Sequence, residues 1–144
     1  MKKIVKRGLL VLFASLLAFS FSTFALADMT GMDFVKEAKK TIKEISVEQA
    51  KKDIDAGKAI VLDVRTEKEY KMGHIPGAIF LQRGVLELKI DKKIPDKNAY
   101  IIIYCKSGAR SALATQTLQK MGYKNVVSLA GGWEAWVKAG FPVE

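Results

Sequence analysis

Apolar and polar positions change their period several times along this chain, and each change marks an element. Ala99-Tyr100-Ile101-Ile102-Ile103-Tyr104 is a continuous β-branched and aromatic run, the composition of a parallel strand buried on both faces. Ser111 to Met121 then carries apolar residues at helical spacing and stops at Gly122, where a helix-terminating glycine belongs. Ala59-Ile60-Val61-Leu62-Asp63-Val64-Arg65 and Asn125-Val126-Val127-Ser128-Leu129 are two more buried-strand runs, and Ala78-Ile79-Phe80-Leu81 is a shorter one. Met29 to Ile45 reads as a helix, with Phe34, Val35, Ala38, Ile42 and Ile45 near one face and lysines on the other. Ser46 with Gln49, and Thr66 with Glu69, have the spacing of capping boxes. The first opens a short helix closing at Gly57, the second a helix ending near Met72-Gly73. Val85 to Ile90 and Trp133 to Ala139 complete the helices. Strands alternating with helices give an α/β domain with a mainly parallel central sheet and helices on both faces.

The first 27 residues follow a different pattern. Lys2, Lys3, Lys6 and Arg7 precede an apolar stretch from Leu9 to Phe24, and Ala25-Leu26-Ala27 reads as a cleavage site before Asp28. This is the pattern of a secretory signal peptide. An uncleaved anchor is the alternative, since Gly8 to Ala27 approaches membrane-spanning length; Ser15, Ser20, Ser22 and Thr23 dilute the run, and no basic cluster follows it. No cysteine near residue 27 could carry a lipid. The expectation is a periplasmic or secreted protein starting at Asp28, without stable membrane insertion. Losing four cations takes the net charge from +9 to +5. The remaining lysines are dispersed, which argues for a solvated surface and against nucleic acid while leaving a modest attraction for small anions.

Between the central strand and the following helix stands Cys105-Lys106-Ser107-Gly108-Ala109-Arg110, holding the only cysteine of the chain. In a tight strand-to-helix turn, backbone N–H groups and a helix N-terminus converge on one point, and such a concavity favours negative charge. With Lys106 and Arg110 beside it, Cys105 is suited to carry a negatively charged sulfur and is the candidate nucleophile. The plainer alternative is a small apolar residue closing a strand. A single cysteine makes no intramolecular disulfide, so in an oxidising compartment this thiol is free, linked to a partner or modified.

Cys-x-x-x-x-Arg between strand and helix resembles the active-site loop of the rhodanese-like sulfurtransferases. Val61-Leu62-Asp63-Val64-Arg65, Gly73-His74-Ile75-Pro76-Gly77-Ala78, and Gly131-Gly132-Trp133 with Trp136 resemble further segments of the same family, in the same order. The resemblance covers about residues 45 to 141. It divides the chain into a signal peptide at 1–27, a helical extension at 28–44 and a rhodanese-like domain at 45–144. It implies a cysteine persulfide on Cys105 that carries sulfur from a donor such as thiosulfate to an acceptor such as cyanide, a dithiol or a protein thiol. Lys106, Ser107, Gly108, Ala109 and Arg110 would bind the transferred group, and neither a metal nor an organic cofactor is implied. Lys106, on a flexible stem, is the candidate for a purely electrostatic contribution.

Asp63, near the carboxyl end of its strand, is placed to bond the Cys105 turn or a nearby arginine, with a plain turn or cap role as the alternative. Arg65, four residues before Glu69, is expected to form a structural ion pair. Both would support the loop without touching substrate. His74, the only histidine, is assigned to a structural loop and not to a base for Cys105. Trp133 and Trp136 are expected to be core anchors. Two rival readings differ in class. Cysteine-dependent phosphatases and arsenate reductases place five residues between cysteine and arginine, whereas four intervene here, which suits one sulfur atom better than a tetrahedral oxyanion. A catalytically weak binding or sulfur-carrier module is the other.

Overall fold

The computed structural model describes residues 28–144; the expected signal peptide lies outside the described residues. Five parallel strands form one sheet: β1 (Glu44–Ile45), β2 (Ile60–Asp63), β3 (Ile79–Phe80), β4 (Tyr100–Tyr104) and β5 (Asn125–Leu129), in the order β1-β5-β4-β2-β3. The helices are α1 (Gly31–Thr41), α2 (Val47–Asp55), α3 (Glu67–Lys71), α4 (Leu86–Lys93), α5 (Ala109–Lys120) and α6 (Gly132–Lys138), with a 3₁₀ turn at Arg83–Val85. Among the described residues, no helix is long and apolar enough to cross a membrane.

The unbroken apolar run of β4 is explained by its central place. Ile101, Ile103 and Cys105 pack with Leu86 and Ile90 of α4 and with Ala114 and Leu118 of α5, while Ile102 and Tyr104 pack on the opposite face with Ala50 of α2 and Trp136 of α6. Each face is thus a separate apolar core, as a strand period of two requires. The chain leaves β2 toward one edge, crosses back to β4, and leaves β4 toward the other edge. The carboxyl ends of β2 and β4 therefore flank the point where strand order reverses, the place where open α/β sheets bind ligands. Asp63 and Tyr104 are register partners there.

Several boundaries differ from the sequence reading. The first helix ends at Thr41, and Ile45, expected on its face, lies in β1 paired with Leu129. Phe34, expected inward, is exposed; Val35 and Ala38 make the buried stripe, and α1 packs along α5. At Ser46 only half of the capping box forms: its hydroxyl accepts from Gln49 N–H at 3.2 Å, without the reciprocal bond from the Gln49 side chain. The box at Thr66 and Glu69 is complete. The Val85 helix is a 3₁₀ turn followed by α4, and α5 begins two residues earlier than its apolar spacing indicates.

Candidate active site

The end of β4 delivers Cys105 to a buried position, 1% exposed, at the base of the turn into α5. Gly108 donates its N–H to Cys105 Sγ at 3.2 Å. It adopts φ +101° as the residue before the helix, a conformation that a side chain at this position would strain. Lys106 and Ser107 are exposed, Gly108 is buried, and Ala109 and Arg110 are half-buried. The hydroxyl of Ser111 donates to Gly108 O at 3.2 Å and accepts from Ser128 of β5 at 3.0 Å. This buried pair ties the start of α5 to the sheet. Nothing in the local sequence separates Ser111 from an ordinary helical serine.

The loop is closed from the other side by α6. Trp133 N–H donates to Cys105 O at 2.8 Å and Glu134 N–H to Lys106 O at 3.0 Å. Gly132 makes this approach possible: a Cβ there would stand 2.5 Å from Cys105 O and 2.8 Å from Lys106 O, on a residue with φ +58°. The tryptophans divide their work. Trp136 is a buried core residue, whereas Trp133 lines a cleft of about 250 Å³ together with Arg65, Glu69, Met72, Gly73 and Lys106.

Two arginines form the electrostatic frame. Arg65 pairs with Asp63 through Nε at 2.9 Å and Nη2 at 2.7 Å, and Nη2 also donates to Gly73 O at 2.7 Å. Glu69, four residues after Arg65 and the carboxylate its spacing offers, faces Arg110 instead, at 2.9 and 2.8 Å. Glu69 is claimed by a residue that the fold brings to it, while Arg65 turns back to Asp63. The Arg65 guanidinium lies 4.5 Å from the Trp133 ring centre and 5.3 Å from that of Tyr104. Burial lowers its proton affinity, but the bond and charge of Asp63 outweigh that, so it stays firmly cationic. Tyr104 accepts from Ile75 N–H at 3.1 Å, and burial first, then the Asp63 charge, pushes its hydroxyl far above the ordinary tyrosine range.

Arg110 holds the Glu69 carboxyl down at about 2, chiefly by direct hydrogen bonding. In return Glu69 raises the affinity of Arg110 for its proton, with a smaller contribution from Cys105. Lys106 Nζ lies 3.7 Å from Glu134, both side chains exposed. His74 stacks on Tyr70 at 3.8 Å with its Nδ1 3.1 Å from Tyr70 O, in the structural setting its sequence context suggested.

Residues 46–139 match the model of the Rhodanese-like domain. The chain belongs to the rhodanese-like family. A relative from Bacillus subtilis (strain 168) named "Putative sulfur carrier protein YrkF" is 35% identical over 107 residues, 74% of this chain and 57% of that protein, so the chain spans little more than half of its length. A sulfurtransferase of Allochromatium vinosum is 35% identical over 89 residues, 62% of this chain and 81% of the relative. A Rhodopseudomonas palustris CGA009 structure described as a protein of unknown function and possible tyrosine phosphatase superposes with TM-score 0.76 at 32% identity, covering 81% of this chain and 95% of that one. Cys105 to Gly108 form the turn between β4 and α5, Ala109 and Arg110 open the helix, and the Gly131-Gly132-Trp133 segment braces the turn.

Proposed function

We propose that this protein is a sulfurtransferase that carries sulfur as a persulfide on Cys105, with thiosulfate or a similar small anion as donor. The observation that carries this reading is the placement of the only cysteine: its sulfur accepts the Gly108 N–H within a four-residue Cys-to-Arg spacing, with the Glu69-bound Arg110 beside it. In the first half-reaction the Cys105 thiolate attacks the outer sulfur of thiosulfate. The S–S bond of the donor breaks, and sulfite leaves with the electron pair. In the second, a nucleophilic acceptor, cyanide or a thiol, attacks the outer sulfur of the persulfide and returns Cys105 as thiolate. Gly108 N–H and Arg110 stabilise the negative sulfur in both states, Lys106 adds positive potential at the rim, and Asp63 with Arg65 keeps the neighbouring strand end in place.

The spacing also bears on the phosphatase description of the structural relative. With α5 starting at Ala109, the turn offers amides around one sulfur atom and little room for four oxygens. A sulfur-carrier role, in which a partner protein loads or unloads Cys105, uses the same loop and is the second reading, favoured by the name of the Bacillus subtilis relative. We further propose export through the 1–27 segment, with the mature chain starting at Asp28. Intact mass after incubation with thiosulfate tests the main reading. A gain of one sulfur atom that Cys105→Ser abolishes is the expected result; no gain from thiosulfate, together with Cys105-dependent hydrolysis of an aryl phosphate, would replace it.

A further inference from the structure

The helix α1 precedes the residues matched by the family model, so the family assignment gives it no role. Its Lys39 nonetheless reaches the Cys105 loop. Lys39 Nζ stands 3.9 Å from the position a Cβ would take on Gly108, the residue whose N–H bonds Cys105 Sγ. The backbone geometry of one residue and that hydrogen bond keep the ammonium within about 10 Å of the sulfur.

Lys39 is held there by Glu44 of β1, whose Oε1 lies 2.9 Å away. That oxygen is buried, and Lys39 is the cation that faces it. Glu44 therefore fixes where the ammonium sits, and the Lys39 side chain, 38% exposed, keeps spare N–H donors open to an anion at the loop. Two elements converge to produce this placement. β1 pairs with β5 so that Glu44 stands opposite Ser128, just before the β5 end where Leu129 O and Gly131 N approach Gly108. α1 packs along α5 and points Lys39 at the same spot. Lys106 differs, being 63% exposed and directed toward Glu134.

We infer that Lys39 supplies a cation from outside the matched domain to the rim of the Cys105 loop, raising the preference of this sulfur for anionic reactants over neutral ones. For sulfur transfer it acts as a specificity-determining residue favouring an anionic donor, and that part rests on the function proposed above.

Because Cys105 is the only cysteine, its alkylation by iodoacetate, an anion, and by iodoacetamide, its neutral analogue, reads the local potential without requiring any sulfur chemistry. At low ionic strength, Lys39→Gln should lower the iodoacetate-to-iodoacetamide rate ratio roughly threefold, and the difference should close near 1 M salt, where the Debye length is about 3 Å. Glu44→Gln should move the ratio the other way, Lys39→Arg should restore it, and Lys120→Gln, at the far end of α5, should leave it unchanged. Thiosulfate kcat/KM should fall in Lys39→Gln by more than that factor, because thiosulfate carries two negative charges, and through KM, with kcat retained. An unchanged alkylation ratio in Lys39→Gln, or a fall that salt does not remove, overturns the inference. If wild-type Cys105 takes no sulfur from thiosulfate while the ratio still responds to Lys39, the sulfurtransferase reading fails and the cation assignment stands.

Discussion

Asp63–Arg65 and Glu69–Arg110 are both arginine–carboxylate pairs with two short contacts, both within reach of the same loop, and they do different work. The first is 0% and 2% exposed, sealed between Tyr104 and Trp133, with its spare donor spent on Gly73 O. The second is 29% and 35% exposed and has the sulfur of Cys105 for a neighbour. Solvent access separates them: a pair removed from water is part of the architecture, because breaking it strands a charge, while a pair at the rim can lose a partner to water at small cost. Identical chemistry in two dielectric surroundings yields a buried pillar and a solvent-touched rim pair.

The largest effect expected from this contrast comes from Asp63→Ala, which leaves the Arg65 charge buried and unpaired. Loss of about 3–5 kcal/mol is expected by urea unfolding, a large share of the stability of a domain this size. A loss below about 1 kcal/mol would put the two pairs in one class and break the comparison. Next comes Tyr104→Phe, which removes the acceptor of Ile75 N–H from the same buried cluster and should cost about 1–3 kcal/mol, read in the same way. On the other side, Arg110→Gln is expected to leave stability within about 1 kcal/mol while slowing sulfur loading of Cys105 about tenfold, equivalent to 1.4 kcal/mol. Intact-mass time courses with thiosulfate measure that rate, and unaltered loading would demote Arg110 to architecture.

The smallest effect is a pH response. Arg110 holds folded Glu69 near 2, well below its ordinary 4.5. The stability this lends is complete above the unfolded value and is lost as pH falls from about 4.5 toward about 2. With solvent screening the change should be no more than about 1 kcal/mol. Unfolding curves of the wild type across that window should show it, and Glu69→Gln, which can still close the cap with Thr66, should flatten it.

The same contrast explains what could be read from the chain. The strands, the capped helix at Thr66 and the loop of Cys105 were legible because each is written in local spacing. β1 was not: two residues pairing only with β5 leave too short a pattern, and Ile45 fell in phase with the helix before it. Glu69 was visible as a cap and invisible as the partner of Arg110, since 41 residues separate them. The four-residue spacing of Arg65 and Glu69 pointed to the wrong carboxylate, whereas the turn after β2 folds Arg65 back on Asp63, for which a nearby arginine is one of the partners its strand-end position predicts. Trp133 and Trp136 looked alike at a spacing of three, and only the approach of Gly132 to the loop backbone put one in the cleft and the other in the core.

That approach also sets an order of events in the life of the chain. The carbonyls of Cys105 and Lys106 receive their amide partners from Trp133 and Glu134, which a ribosome adds more than twenty residues later. A growing chain that already contains the thiol therefore has no finished cradle around it. The backing of the loop is a late product of synthesis, completed only when the last helix docks.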